Sequence, residues 1–176
     1  MSQIDPLLER NRAFAATGAH QGLKPLPRHQ VLVVTCLEPR LDPAQLLGLE
    51  LGDALVIRNT GGRVTNEVIE QIAFIGHAAE SRFGAEAAAF EVSVIHHTSC
   101  GTGALADPDF RRGFAERIGA DDATLAERAV TDPEATVRAD VELLRRSPLR
   151  PGRVIVSGHV YDVDTGLIRT VVPSTR

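Results

Sequence analysis

Brief blocks of consecutive apolar residues alternate with stretches in which apolar residues recur every three or four positions. The blocks are VLVVT (31–35), ALVIRN (54–59), AFEVSVI (89–95) and RVIVSGHV (153–160). They are short and mostly rich in β-branched residues, the pattern of strands buried on both faces. A further run, LIRTVV (167–172), follows Asp164-Thr165-Gly166, whose composition predicts a hairpin turn. Helical spacing appears in between. Thr65 or Asn66 can cap a helix running to about Arg82, with Val68, Ile69, Ile72, Ile75 and Ala79 along one side. Asp42-Pro43 opens a short helix over Ala44 to Leu49, and Asp107 to Ile118 and Pro133 to Arg146 read as two more.

The resulting order, strands alternating with helices and a hairpin at the end, predicts an α/β fold. Its centre is a mainly parallel sheet of about four strands with an antiparallel C-terminal edge strand, flanked by helices. Residues 1–28 stand apart. Asp5 as cap and Pro6 in the first turn predict a helix with Ile4, Leu7, Leu8 and Ala15 near one face, and Gly18 to Pro27 reads as a linker. An amphipathic helix ahead of the core has to bury its stripe on its own domain or on a second subunit. The chain therefore divides into an N-terminal arm, 1–28, and a body, 29–176.

At 176 residues, with 43% hydrophobic and 24% charged positions, the chain has the makeup of one globular domain. A net charge of −4 argues against a nucleic-acid partner. No apolar run reaches the ~18 residues a membrane span requires, and the N-terminus lacks the basic start and apolar block of a secretory signal. A cytoplasmic location is expected. Two cysteines, Cys36 and Cys100, are too few for a disulfide framework and read as free thiols, metal ligands or catalytic groups. Lys24 is the only lysine, and the arginines are scattered rather than clustered.

Open α/β sheets bind ligands beyond the carboxyl ends of their strands. Three polar clusters fall there: Cys36-Leu37-Glu38-Pro39-Arg40, Arg58-Asn59-Thr60-Gly61-Gly62, and His96-His97-Thr98-Ser99-Cys100-Gly101. Both cysteines thus share one rim with a histidine-rich turn. A helical turn could aim His97 and Cys100 inward together, and with Cys36 they would make a two-thiolate, one-imidazole set that leaves a fourth tetrahedral position open. The same residues also fit two buried thiols beside turn histidines. His96 reads as structural, and His159 as a packed or hydrogen-bonded core residue. Asp162-x-Asp164-x-Gly166 lacks the later ligands of a calcium loop. No nucleotide-binding glycine motif is present.

The run CLEPRLDPAQLLGLELGDALVIRNTGG, followed by VIHHTSCG and GHVYDVDTG, resembles the compact form of the β-class carbonic anhydrases over roughly His29 to Val172. The resemblance implies a zinc-binding domain with Cys36, His97 and Cys100 as ligands. It implies Arg40 as the arginine that pairs with the family's acid, and Glu38 where that family has Asp. It further implies reversible hydration of CO2 to bicarbonate by a zinc-bound hydroxide, and a homodimer or larger homo-oligomer with the arm laid across the neighbouring subunit. Asn59 and the Gly61-Gly62 loop read either as backbone N–H donors to a bicarbonate oxygen or as a plain turn needing positive φ, and Gly101 follows the last ligand as in the family. One extra methylene gives Glu38 roughly 1.5 Å more reach, the length of a C–C bond. It can orient the nucleophile, close the metal's fourth position in a weak or inactive protein, or pair with Arg40 alone. The same chemistry would serve CS2 or COS.

Overall fold

The computed structural model describes residues 2–175; Met1 and Arg176, the outer ends of the two predicted segments, lie outside them. Among the described residues five strands form one sheet: β1 (Val31–Cys36), β2 (Leu55–Asn59), β3 (Glu91–His97), β4 (Ile155–Tyr161) and β5 (Ile168–Thr175). Their order is β2-β1-β3-β4-β5. The first four are parallel and β5 returns antiparallel to β4, as the sequence predicts. The helices are α1 (Asp5–Ala16), α2 (Pro43–Leu47), α3 (Asn66–Phe83), α4 (Pro108–Ile118), α5 (Asp122–Ala126) and α6 (Pro133–Arg146).

Side-chain caps explain where most helices begin. The carboxylates of Asp42, Asp107, Asp121 and Asp132, and the Thr65 hydroxyl, accept main-chain N–H groups at the starts of α2, α4, α5, α6 and α3. α1 departs from expectation. Ile4 occupies its cap position without a side-chain bond, and Asp5, the first helical residue, accepts from the Ser2 N–H at 2.7 Å. α2 stops at Leu47 because Gly48 takes a left-handed conformation, φ +63°.

The largest correction concerns β3, which begins and ends two residues later than predicted. A 3-10 turn over Ala85–Ala88 runs up to Ala89, its C-cap, so Ala89 and Phe90 link turn to strand and β3 starts at Glu91. At the far end His96 and His97 stay in the ladder, opposite Val160 and Tyr161. Both histidines are fully buried, so two polar residues that read as a turn are strand interior.

Two cores flank the sheet. Val34, Ile72, Val92, Val137, Val141 and Leu144 join one face to α3 and α6. On the other face Val33, Leu41, Ile95, Val130 and Tyr161 pack with both cysteines. α1 buries none of its residues; Ile4, Leu7, Leu8 and Phe14 are 48, 50, 46 and 39% exposed. No helix among the described residues is long and apolar enough to cross a membrane.

Candidate metal centre

Cys36 is the last residue of β1 and His97 the last of β3, adjacent strands whose parallel pairing brings their carboxyl ends to one rim. Cys100 arrives by a tight turn, not by the helical turn expected from its spacing. Ser99 adopts φ +55°. The turn is tied to the β4–β5 hairpin: the Thr98 N–H donates to the Tyr161 carbonyl, 3.0 Å, and the Val163 N–H donates to the Thr98 hydroxyl, 3.0 Å. This is how GHVYDVDTG, remote in sequence, shapes the rim. One ligand-type atom from each of Cys36, His97 and Cys100 lies within 4.8 Å of the others, and all three residues are buried.

The hydrogen bonds say which atoms face the centre. His97 Nδ1 donates to the Thr98 carbonyl at 2.9 Å. That bond sets the tautomer and leaves Nε2 as a lone-pair donor. Nε2 is buried and has no protein partner. A buried polar atom without a partner costs about 1–3 kcal/mol, and an ion gripped by Nε2 and two sulfurs would remove that cost. The Cys100 thiol and burial push Cys36 up to about 11, while the Cys36 thiol beside it draws Cys100 down to about 6. The Thr102 hydroxyl, 3.1 Å from Cys100 Sγ, adds to the second shift. Two sulfurs and one imidazole suit zinc, with room for a fourth ligand.

Glu38 and Arg40 sit on a turn that follows Cys36. The Leu41 N–H donates to the Glu38 carbonyl, 2.9 Å, with Pro39 at the corner proline favours. The turn puts both side chains on one side, and Arg40 Nε donates to Glu38 Oε1 at 2.8 Å. That bond holds the Glu38 carboxyl below its usual range. Glu38 is not one of the three residues that could hold an ion. A cavity of about 320 Å³ opens beside them, lined by Cys36, Cys100, Glu38, Leu105, Phe110 and Phe114. A larger space of about 590 Å³ runs along β2 and α3 and holds neither thiol, so the chemistry belongs to the smaller one.

The glycine loop divides in two. Gly61 and Gly101 line the smaller cavity, as does Thr60. Asn59 and Gly62 do not. Asn59 spends its amide N–H on the Arg63 carbonyl, 2.8 Å. Gly62, at φ +68°, presses on β1: a Cβ there would stand 2.8 Å from the Cys36 nitrogen and 2.9 Å from the Thr35 carbonyl carbon. Any side chain at this position would displace the strand end that carries Cys36.

Sequence reasoning passed over Asp140 and Thr102, and gave Arg58, named within a rim cluster, no role of its own. Asp140 on α6 is 1% exposed. It accepts two bonds from Arg63, at 2.9 Å each, and one from the Val64 N–H, 3.0 Å. His96 Nε2 lies 3.1 Å from it and 3.2 Å from the Gly62 carbonyl, which bears out a structural role for His96. The available signal was an acid inside the buried stripe Val137, Val141, Leu144. The others are Thr102, beside Cys100, and Arg58, which bonds the Cys36 and Glu38 carbonyls. His159 is hydrogen-bonded as expected, with Nε2 2.9 Å from the Ser157 hydroxyl.

The carbonic anhydrase family model matches residues 31–168. A β-carbonic anhydrase 1 from Mycobacterium tuberculosis is 30% identical over 174 residues, covering 98% of this chain and 100% of that protein. A carbon disulfide hydrolase from Acidianus is 27% identical over 190 residues, covering 94% and 87%. The crystal structure of a carbonic anhydrase from Streptococcus mutans superposes with a TM-score of 0.80 at 37% identity, covering 97% of this chain and 98% of that one. With a family match over most of its length, and with Cys36, His97 and Cys100 gathered at one rim, the chain belongs to the β-carbonic anhydrases.

Proposed function

We propose that this protein binds zinc through Cys36, His97 and Cys100 and catalyses the reversible hydration of CO2 to bicarbonate, with Glu38 and Arg40 as the acid–arginine pair. The observation that carries the reading is the unpartnered His97 Nε2 facing two thiols, beside a carboxylate already held by an arginine. When bound, zinc would supply a water acidified far below its bulk value, to a pKa of about 7, and an electrophilic contact for oxygen. The chain's own groups do the rest. Arg40 keeps Glu38 ionised, so its carboxylate accepts a hydrogen bond from the attacking water and aims the oxygen lone pair. Oε1 is taken by Arg40; Oε2 has no donor among the described residues. Leu105, Phe110 and Phe114 give CO2 an apolar wall, and Gly61 and Gly101 line the same space.

Stopped-flow CO2 hydration by the zinc-loaded protein tests the assignment. Glu38→Asp is expected to raise kcat several-fold at unchanged zinc content, because the shorter acid places the accepting oxygen nearer the strand end; an unchanged or lower kcat would show that glutamate is the fitted residue. The apolar lining and the Acidianus carbon disulfide hydrolase support one alternative, hydrolysis of CS2 or COS by the same groups. Parallel assays on CO2 and CS2 separate the two, and a strong CS2 preference replaces the first reading.

The arm 1–28 is proposed to cross to a second copy in a cytoplasmic homodimer or larger homo-oligomer. Supporting this, Leu7, Leu8 and Phe14 of α1 find no burial within one chain. Sedimentation of the full chain is expected to give a dimer or larger species, and removal of residues 1–28 to shift it toward monomer. A full chain that sediments as a monomer refutes the arrangement.

A further inference from the structure

We infer that Arg58 is a positioning residue for this reaction: it holds the loop that carries Glu38 and Arg40, and acts through them without touching substrate. The inference rests on the functional reading above for its catalytic consequence, and on geometry for its mechanical part.

Arg58 lies on β2, in register with Thr35 on β1, and its side chain crosses the rim to the neighbouring loop. Its guanidinium is spent wholly on that loop. Nε donates to the Cys36 carbonyl at 3.1 Å, Nη2 to the Glu38 carbonyl at 2.8 Å, and Nη1 reaches Asp42 Oδ2 at 3.4 Å. Asp42 in turn caps α2. One planar fork therefore joins the end of the ligand strand, the acid's own peptide and the start of the next helix.

Little else restrains Glu38-Pro39-Arg40. On one side the Leu37 N–H extends the ladder to the Asn59 carbonyl, 2.9 Å; on the other Leu41 is fully buried. Between them the Glu38 and Arg40 side chains bond each other, a contact that moves with the loop and cannot locate it. Among the described residues, the one hydrogen bond that reaches these three residues from outside the 36–42 segment is that of Arg58 Nη2 to the Glu38 carbonyl; its other two bonds fix the residues on either side, Cys36 and Asp42. Glutamate's extra methylene makes this restraint matter more, because a longer side chain turns a small backbone shift into a larger displacement of the carboxylate. Lysine cannot replace this arginine, since a single ammonium does not span three divergent acceptors.

The test uses zinc-loaded full-length protein in four forms: wild type, Arg58→Gln, Glu38→Gln and the double variant, with Arg58→Lys as a fifth. Hydrogen exchange read by mass spectrometry is expected to speed up over residues 37–42 in Arg58→Gln and Arg58→Lys, with zinc content unchanged. In CO2 hydration, Arg58→Gln is expected to lower kcat by about 10- to 100-fold, as for a catalytic group displaced by about 1 Å, with KM nearly constant. In the Glu38→Gln background the same change is expected to cost less than twofold, because the group it positions is already disabled. Unchanged exchange over 37–42 overturns the inference. So does an equal cost of Arg58→Gln in both backgrounds, which marks a general structural role. If the wild type hydrates neither CO2 nor CS2, the functional reading fails, and the exchange result alone decides whether Arg58 holds the loop.

Discussion

A Cys100→Ala protein is expected to retain less than a tenth of an equivalent of zinc after dialysis against a mild chelator, and to hydrate CO2 at the background rate. The wild type should keep one zinc per chain under the same treatment. Replacing a group that only orients a ligand costs about 10–100-fold in metal affinity; removing the ligand itself costs more. Here the loss is compounded. Cys100 Sγ is one of the three clustered donor atoms, and the variant also leaves the Thr102 hydroxyl without its sulfur partner. His97→Ala should match it, because it removes the buried nitrogen that has no protein partner and lies with the two sulfurs. Cys36→Ala should do the same. Metal analysis beside stopped-flow rates checks all three. Stoichiometric zinc with near-normal turnover in any one of them would remove that residue from the ligand set.

The second large effect is on stability. Asp140→Ala is expected to destabilise the fold by about 3–5 kcal/mol, the cost of removing one partner from a buried charged cluster. The carboxylate is buried at 1% exposure and receives Arg63, the Val64 N–H and His96. Without it Arg63 keeps a bond to the Glu127 carbonyl but faces a void, and the Gly62–Val64 segment loses its tie to α6. Urea unfolding measures the difference, and a loss below about 1 kcal/mol would refute it. Burial alone would raise the Asp140 carboxyl, but bonds from His96 and Arg63 hold it below its ordinary 3.8. The sign follows from linkage. The group stabilises the fold fully at pH values above the ordinary aspartate range, and that contribution fades as pH falls through its lowered value. Asp140→Asn, which keeps shape without charge, should flatten this acid limb.

The strands were legible as short apolar runs: VLVVT is buried on both faces as most of β1, whereas LVIRN forms the edge strand β2, where no residue is fully buried and Val56 is 43% exposed, against the expectation of burial on both faces. The helix starts were legible because Asp42, Thr65, Asp107 and Asp132 are short polar residues just ahead of helical spacing. The candidate metal set was legible through three motifs in order, not through spacing: Cys36 and His97 are far apart in the chain, and only the pairing of β1 with β3 joins them. Long-range polar partners were not legible. A pattern of apolar positions cannot show that His96 is strand interior, since its burial depends on Asp140 from another element. Nor can it show that Arg58 reaches across to the Glu38 carbonyl. The short α5 was missed as well; it has one buried side chain, Leu125, too few to make a period.

The bond that settles which nitrogen of His97 faces the cysteines ends on the main-chain oxygen of Thr98. Every amino acid brings that oxygen, so no codon change at position 98 deletes the acceptor itself. Hereditary variation there reaches the imidazole only by bending the backbone. The sulfur side has no such insurance, for the hydroxyl beside Cys100 belongs to the Thr102 side chain and one nucleotide change can erase it. Drift in this lineage should therefore retune the thiolate long before it disturbs the ring.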